Sequence, residues 1–335
     1  MEGIKILKRP RLKNPILIVA WPGMGEVSFK AASYLVEKLG AQEFAQIPPE
    51  EFFYLTASFI QDGLLSIPEL PQSKFYYWKN PATKRLGTAK NLGGKIEGND
   101  LIIFISNAQP DLAKAESYSS RIINLAKSFK VKTMVSFAAM PQPIDHTQPP
   151  GVWFSATSRA LIEHLKSFNF NLLNEGQISG MNGLFLGIAK QAGIDGFCLL
   201  ADIPLYTIQI ENPKASACVL EALGKILQLQ IEVSSLNAQA HTMEEEINKL
   251  LDYLKLGSPV APIGEEEIEK IKKSLSQLTK LPLSIKDKIE KLFNEAKTDI
   301  SKAHELKSTL DKWNVYKEYE DRFLDLFRKT KEKNN

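Results

Sequence analysis

Gly23 and Gly25 stand one residue apart around Met24, directly after the apolar run Ile16 to Ala20 and the pair Trp21-Pro22. Glycines at that spacing between a strand and a helix suit the binding of a phosphate or carboxylate. The first amides of a helix have no partners inside it, and the helix dipole favours an anion there. The run lacks the third glycine of a dinucleotide fingerprint and the Lys-Ser/Thr of a P-loop, so it reads first as a tight reversal of the chain. Glu26 is placed to complement the dipole rather than to activate a substrate.

Three further groups join this set. Asn107, Gln109 and Asp111 follow the apolar run Leu101 to Ile105, at the carboxyl end of a strand, where open parallel sheets place ligands. Asp111 reads as the cap of the next helix. Asn182 and Gly183 occupy another strand-to-helix join, expected to face the same crevice as Gly23 and Gly25. Asp202 ends an apolar run just before Pro204, as a catalytic or ligand-binding carboxylate or, more simply, a strand-end cap or hydrogen-bonding turn residue. Gly23, Met24, Gly25, Asn107, Gln109, Asn182, Gly183 and Asp202 thus make a candidate pocket of amides and backbone, suited to recognition rather than to bond breaking.

No catalytic residue is assigned. There is no G-x-S-x-G elbow, and no Ser, His and acid constellation follows from order alone. His146, His164, His241 and His304 are scattered without metal-ligand spacing, so neither a metal nor a cofactor is expected. Cys198 and Cys218 are too few for a disulfide framework and read as free core thiols.

The elements that must position these groups follow a β-then-α rhythm. Ile16 to Ala20, Leu101 to Ile105, Val131 to Phe137, Glu175 to Ser179 and Gly196 to Leu200 read as strands. Helices are expected over Glu26 to Leu39, Leu112 to Phe129, Thr157 to Ser167, Leu184 to Ala192 and Lys214 to Leu229, the last opened by Asn212-Pro213. Ala41 to Trp78 holds several β segments broken by Pro48-Pro49, Asp62-Gly63, Pro68 and Pro71, an antiparallel extension of the sheet. Asn80 to Asn99 reads as an exposed loop, and the Pro-rich stretch from Met140 to Gly151 as irregular surface chain. Alternation of this kind implies right-handed crossovers and a three-layer α/β/α core with a mostly parallel, mixed sheet.

Apolar residues from Ile231 to Leu256 recur at helical spacing, ended by Gly257-Ser258-Pro259. A charged tail then reads as helices near Glu265 to Leu278, Ile285 to Lys297 and Lys302 to Lys329. Its apolar faces need cover, either as a small bundle or against the core or another subunit. The division expected is an α/β domain over residues 1–256 and a helical appendage over 257–335.

The totals bound the function class. In 335 residues, 42 Lys plus Arg stand against 39 Asp plus Glu, a net charge of +3. That supplies no general field for nucleic acid, and Glu and Asp are interleaved with Lys throughout the tail, so no nucleic-acid partner is expected. The first residues lack a signal peptide's apolar centre and no run is long enough to span a bilayer. A cytoplasmic protein without a membrane partner is the expectation.

Ile16 to Ala32, with Ala20-Trp21-Pro22-Gly23-Met24-Gly25 at its centre, resembles the opening strand-turn-helix of the proteasome assembly chaperone 2 family. Gly176 to Gly183, Cys198 to Tyr206 and Asn212 to Ala217 are similar to that family in order and spacing. The resemblance covers roughly Ile16 to Leu256 and leaves the tail outside. It implies a fold like that of the purine nucleoside phosphorylases, self-association (a trimer being one arrangement) and, as in archaeal and eukaryotic relatives, help in assembling proteasome rings. Three departures stand out. Glu26-Val27-Ser28 replaces apolar-Val-Gly, Ala201-Asp202 replaces Gly-Glu, and the ending RKTKEKNN lacks the hydrophobic-Tyr-any-residue sequence by which some relatives dock on the proteasome, so docking there is not expected.

Two functions remain open at this point. One is a non-enzymatic, homo-oligomeric interaction or assembly-chaperone-like protein with a protein client. The other is an enzyme, a nucleotide-dependent ligase or a phosphorylase or hydrolase, acting on a small anionic ligand in the crevice.

Overall fold

The structure is a computed structural model that describes residues 3–55, 58–61, 63–81, 99–256, 283–312 and 315–332. Its centre is β2 (Ile16–Ala20), buried at every position because it has a strand on either side and a helical layer over each face. Parallel to it run β7 (Leu101–Ser106) on one side and β8 (Thr133–Gln142) on the other. Next to β8 lies β11 (Asp195–Pro204), parallel over ten paired positions.

Around these four parallel strands the sheet becomes mixed. β6 (Ser73–Trp78) pairs antiparallel with β7, β3 (Gln42–Ile47) with β6, and the two-residue edge strand β1 (Lys5–Ile6) with β3. At the far side β9 (Val152–Ala156) is antiparallel to β11, and β10 (Asn171–Leu172) closes the nine-stranded sheet. A separate hairpin, β4 (Phe59–Gln61) with β5 (Leu64–Ser66), stands outside it. Gly63, at φ +78, supplies the left-handed conformation that its two-residue connection demands.

Strand alternation divides the core in two. Ile16, Ile18, Ile103, Phe137 and Leu199 face the layer containing α1 (Val27–Leu39) and α5 (Pro213–Leu227). Leu17, Val19, Ile102, Phe104 and Leu200 face α2 (Ala115–Ser128) and α4 (Met181–Gln191). The three-layer α/β/α arrangement is thus as the sequence implies. The short helix α3 (Arg159–Lys166) packs beside β9, and α6 (Ser234–Leu256) lies along α5.

Among its described residues the tail forms three helices, α7 (Leu283–Thr298), α8 (Ala303–Lys312) and α9 (Tyr316–Glu332), packed on one another. Arg322 clasps Glu290 through two bonds of 2.6 Å and stacks 4.2 Å over Phe293. Ile289, Phe293, Leu306 and Phe323 are buried in the same apolar cluster as the α1 and α5 side of the sheet. The long helix expected over Lys302 to Lys329 is therefore two. The helix expected near Glu265 to Leu278 and most of the loop expected over Asn80 to Asn99 lie outside the described residues.

Two local expectations need correction. Met140-Pro141-Gln142 continues β8 instead of starting an irregular connection. Pro141 is tolerated because the pairing of β8 with β2 stops at Ser136, leaving one side of the strand without a ladder to complete. Glu175 to Ser179 is not a strand: only Ile178 is partly buried, and Gly176 at φ +147 breaks any extended run. Val152–Ala156, outside every element expected from the sequence, is the strand that pairs with β11.

Candidate functional site

The connection after β2 runs into α1 on one face of the sheet, while that after β7 runs into α2 on the other. A crevice opens where such connections part. Here it is a cavity of 890 Å³, walled by Pro22, Gly23 and Met24 after β2, Gln109 and Pro110 after β7, Ala138 to Pro141 at the end of β8, and the segment from Glu175 to Gly180. Its surface is mainly apolar, with Met24, Leu112, Met140, Leu173, Ile178 and Leu200 prominent.

Two amide side chains set the shape of its floor. Asn182, buried in the first turn of α4, accepts from the Trp21 N–H at 3.0 Å and from the Ser28 hydroxyl at 3.0 Å, and donates from Nδ2 to the Trp21 carbonyl at 3.0 Å. Gln109 donates to the Pro22 carbonyl at 2.6 Å and accepts from the Met181 N–H at 3.0 Å. The loop after β2 is thus stapled to the start of α4 by one residue from each neighbouring segment. Both ends of both amides hold backbone partners.

The glycine-bearing corners do meet, yet their amides are largely spent on the protein itself. Gly25 N–H donates to the Ile208 carbonyl at 2.8 Å, Glu26 N–H to the Gly23 carbonyl at 2.9 Å, and Val27 N–H to the Met24 carbonyl. At the second corner Met181 N–H is held by Gln109, and the N–H groups of Gly183 and Leu184 by the Gly180 carbonyl. A tight 3₁₀ turn, its amides held by its own carbonyls, stands where the alternative reading of the glycines would put an anion cradle.

Of the eight candidate residues, Gly23, Met24, Gln109 and Asn182 line the cavity. Gly25 is buried behind it at φ +62, with its N–H and C=O tied to Ile208 and Asn212. Asn107 points away and accepts from the Gln72 N–H at 2.8 Å, closing the β6–β7 end. Gly183 lets α4 approach the Ile178 carbonyl so closely that a Cβ would lie 2.0 Å from it. Asp202 binds the Gly151 N–H at 2.9 Å and the Trp153 ring N–H at 2.8 Å, joining β11 to the start of β9. These four serve the scaffold.

The caps fall where the sequence places them: Asp111 accepts from Ala113 N–H and Asn212 from Ala215 N–H, both at 2.9 Å. Glu26 takes the left-handed conformation at φ +50, and burial, with Glu211 nearby, raises its carboxyl above the usual range. Burial likewise pushes the thiols of Cys198 and Cys218 up to about 12.

The ionisable side chains among the described lining are Glu175 and Lys291, which approach to 3.9 Å at the rim, both largely exposed. Neither was singled out from the sequence, and no local signal marks Lys291, one of many lysines in an amphipathic tail helix. Its place at the mouth follows from how α7 packs. Among the described residues no group of three or more His, Cys, Asp or Glu is placed to hold a metal ion, and no helix is long and apolar enough to cross a membrane.

Comparison with known proteins agrees with this architecture. The model of the PAC2 family matches residues 17–251. The crystal structure of Pyrococcus furiosus PbaB, an archaeal proteasome activator, is 27% identical, with a TM-score of 0.60 over 74% of this chain and 97% of that one. That of Pyrococcus furiosus PbaA, an archaeal homolog of proteasome-assembly chaperone, is 25% identical, with a TM-score of 0.54 over 74% and 96%. The Methanocaldococcus jannaschii protein MJ1210 is 25% identical over 274 residues, 78% of this chain and 93% of that protein.

Proposed function

The chain belongs to the PAC2 family, and from that premise we propose that it is a non-enzymatic, self-associating protein that assists the assembly of other proteins by direct contact. The observation that carries this reading is the floor of the cavity. Gln109 and Asn182, the amides best placed to greet a substrate, have both ends committed to Pro22, Met181 and Trp21. Such a floor holds a shape. Among the described residues it offers no acid, base and nucleophile converging on one atom, as bond breaking would need. The relatives named for proteasome activation and assembly support a protein client, with the proteasome or its subunits the first to try.

The test uses the full chain. Light scattering at micromolar concentration is expected to give a mass above 37.5 kDa, and purified proteasome subunits are expected to shift in native electrophoresis when the chain is added. A monomer that leaves those subunits unchanged would defeat the proposal.

The enzyme reading keeps one observation in its favour: 890 Å³ lies within the roughly 300–1,000 Å³ range of small-molecule sites. Turnover of a small anionic compound, lost on substituting Gln109 but not Asn107, would establish it instead.

A further inference from the structure

Hairpin β4–β5 carries an exposed apolar surface. Ile60 is 72% exposed, Leu64 75%, Leu65 72% and Ile67 76%. Ile60 and Leu65 are directly opposed across the hairpin and so share one of its faces, while Leu64 stands opposite Gln61 on the other. From Tyr54 to Ile67 the sequence holds a single charged residue, Asp62. A two-stranded hairpin with both faces in water is marginal, and a protruding apolar patch of this kind marks a contact surface.

The same chain offers a hole of matching character. Apolar side chains predominate in the described lining of the cavity, and the charged groups of that lining, Glu175 and Lys291, lie against each other at the rim. An occupant that brings apolar side chains and no charge fits this lining, whereas an anionic or cationic one would find no unpaired counter-charge among the described residues. No hairpin residue is among the described lining of the cavity. Leu112, 73% exposed at the lip, extends the apolar surface outward.

We propose that the β4–β5 hairpin of one copy docks in the strand-end cavity of a second copy of this chain. The contact is heterologous, joining two different surfaces of identical chains, and it propagates head to tail until a ring closes or a filament grows. It rests on the self-association included in the proposed function and specifies how it is achieved. A lone subunit would leave both knob and hole exposed, and the site would be complete only with its neighbour's residues.

The test is a mixing experiment with the full chain. Leu65→Cys is placed on one preparation and Ser179→Cys, at the cavity wall, on another. The native thiols serve as a control, Cys198 being buried in the sheet and Cys218 partly buried on α5. Under mild oxidation a disulfide-linked pair is expected from the mixture and not from either preparation alone. In parallel, the double variant Ile60→Ser, Leu65→Ser is expected to weaken association at least tenfold by light scattering without a change in far-ultraviolet circular dichroism.

A wild-type chain that is monomeric at every concentration overturns both this inference and the self-association reading. An oligomer that survives the double variant and gives no mixed disulfide overturns the inference and leaves self-association standing. Leu65→Cys chains that link to each other would show a symmetric hairpin contact instead. Rapid internal closure in a chain carrying both cysteines would show that the hairpin folds onto its own cavity, and either result overturns the proposal.

Discussion

Asn182 holds both main-chain groups of Trp21, accepting from its N–H and donating to its carbonyl, each at 3.0 Å, across 161 residues of sequence. One side chain thereby does at the end of β2 what a further strand would do, and it ties the central strand to α4.

Replacing Asn182 by Ala leaves two buried backbone groups of Trp21 without partners, each costing about 1–3 kcal/mol. A loss of about 2–4 kcal/mol is expected in urea denaturation, with an unchanged slope. Asn182→Asp keeps the acceptor but sets an oxygen against the Trp21 carbonyl, so it should recover little of that loss.

The three glycines at the corners should behave differently. Gly23 is extended at φ −168, and a Cβ there meets Asn182 Nδ2 at an ordinary 3.5 Å. Gly23→Ala should change stability by less than about 0.5 kcal/mol. Gly25→Ala enforces φ +62 on a residue with a side chain and crowds Ile203 and Asn212 at 3.3 Å, for an expected loss of about 1–3 kcal/mol. Gly183→Ala must move the backbone of Ile178 and should cost the most of the three, a ranking that thermal melts of the variants will check.

Both thiols are expected to react slowly with iodoacetamide at pH 8 in the folded chain and quickly in urea. Their pKa values rise from 9.0 to about 12 on folding because burial disfavours the thiolate. The folded state therefore holds the proton more tightly, and stability falls as pH climbs from about 9 toward 12. Cys198→Ala should flatten part of that alkaline decline, measured as urea midpoints at pH 8, 9 and 10.

A fragment ending at Leu256 should fold, since every strand of the sheet and helices α1 to α6 precede that point. It should melt below the full chain, because Ile289, Phe293, Leu306 and Phe323 join the apolar cluster of the α1 and α5 layer. An insoluble fragment, or one without the circular dichroism of a mixed sheet, would show that the two parts fold only together.

Central elements were readable from local chemistry. Ile16 to Ala20 and Leu101 to Ile105 are unbroken apolar runs because strands covered on both faces tolerate nothing else. Asp111 and Asn212 cap helices through bonds that reach only two or three residues along the chain. Val152–Ala156 escaped because its burial alternates weakly, and Pro141 hid the end of β8 because its tolerance depends on where a neighbouring strand stops. In the candidate site, Asn107 and Gln109 are near-identical in type and two residues apart. One faces Gln72 and the other the cavity, a distinction absent from composition or spacing.

What the sequence determined by itself is the layered α/β scaffold, its caps, its apolar strands and the membership that its motifs announce. Periodicity, capping and turn chemistry act over a few residues, so they are written locally. Only the tertiary structure decided that the glycine corners spend their amides internally, that Asn182 belongs to Trp21, and that Lys291 reaches the rim beside Glu175. Those contacts join segments far apart in the chain, and which donor meets which acceptor is settled by the order of strands and the packing of helices rather than by the residues beside each one.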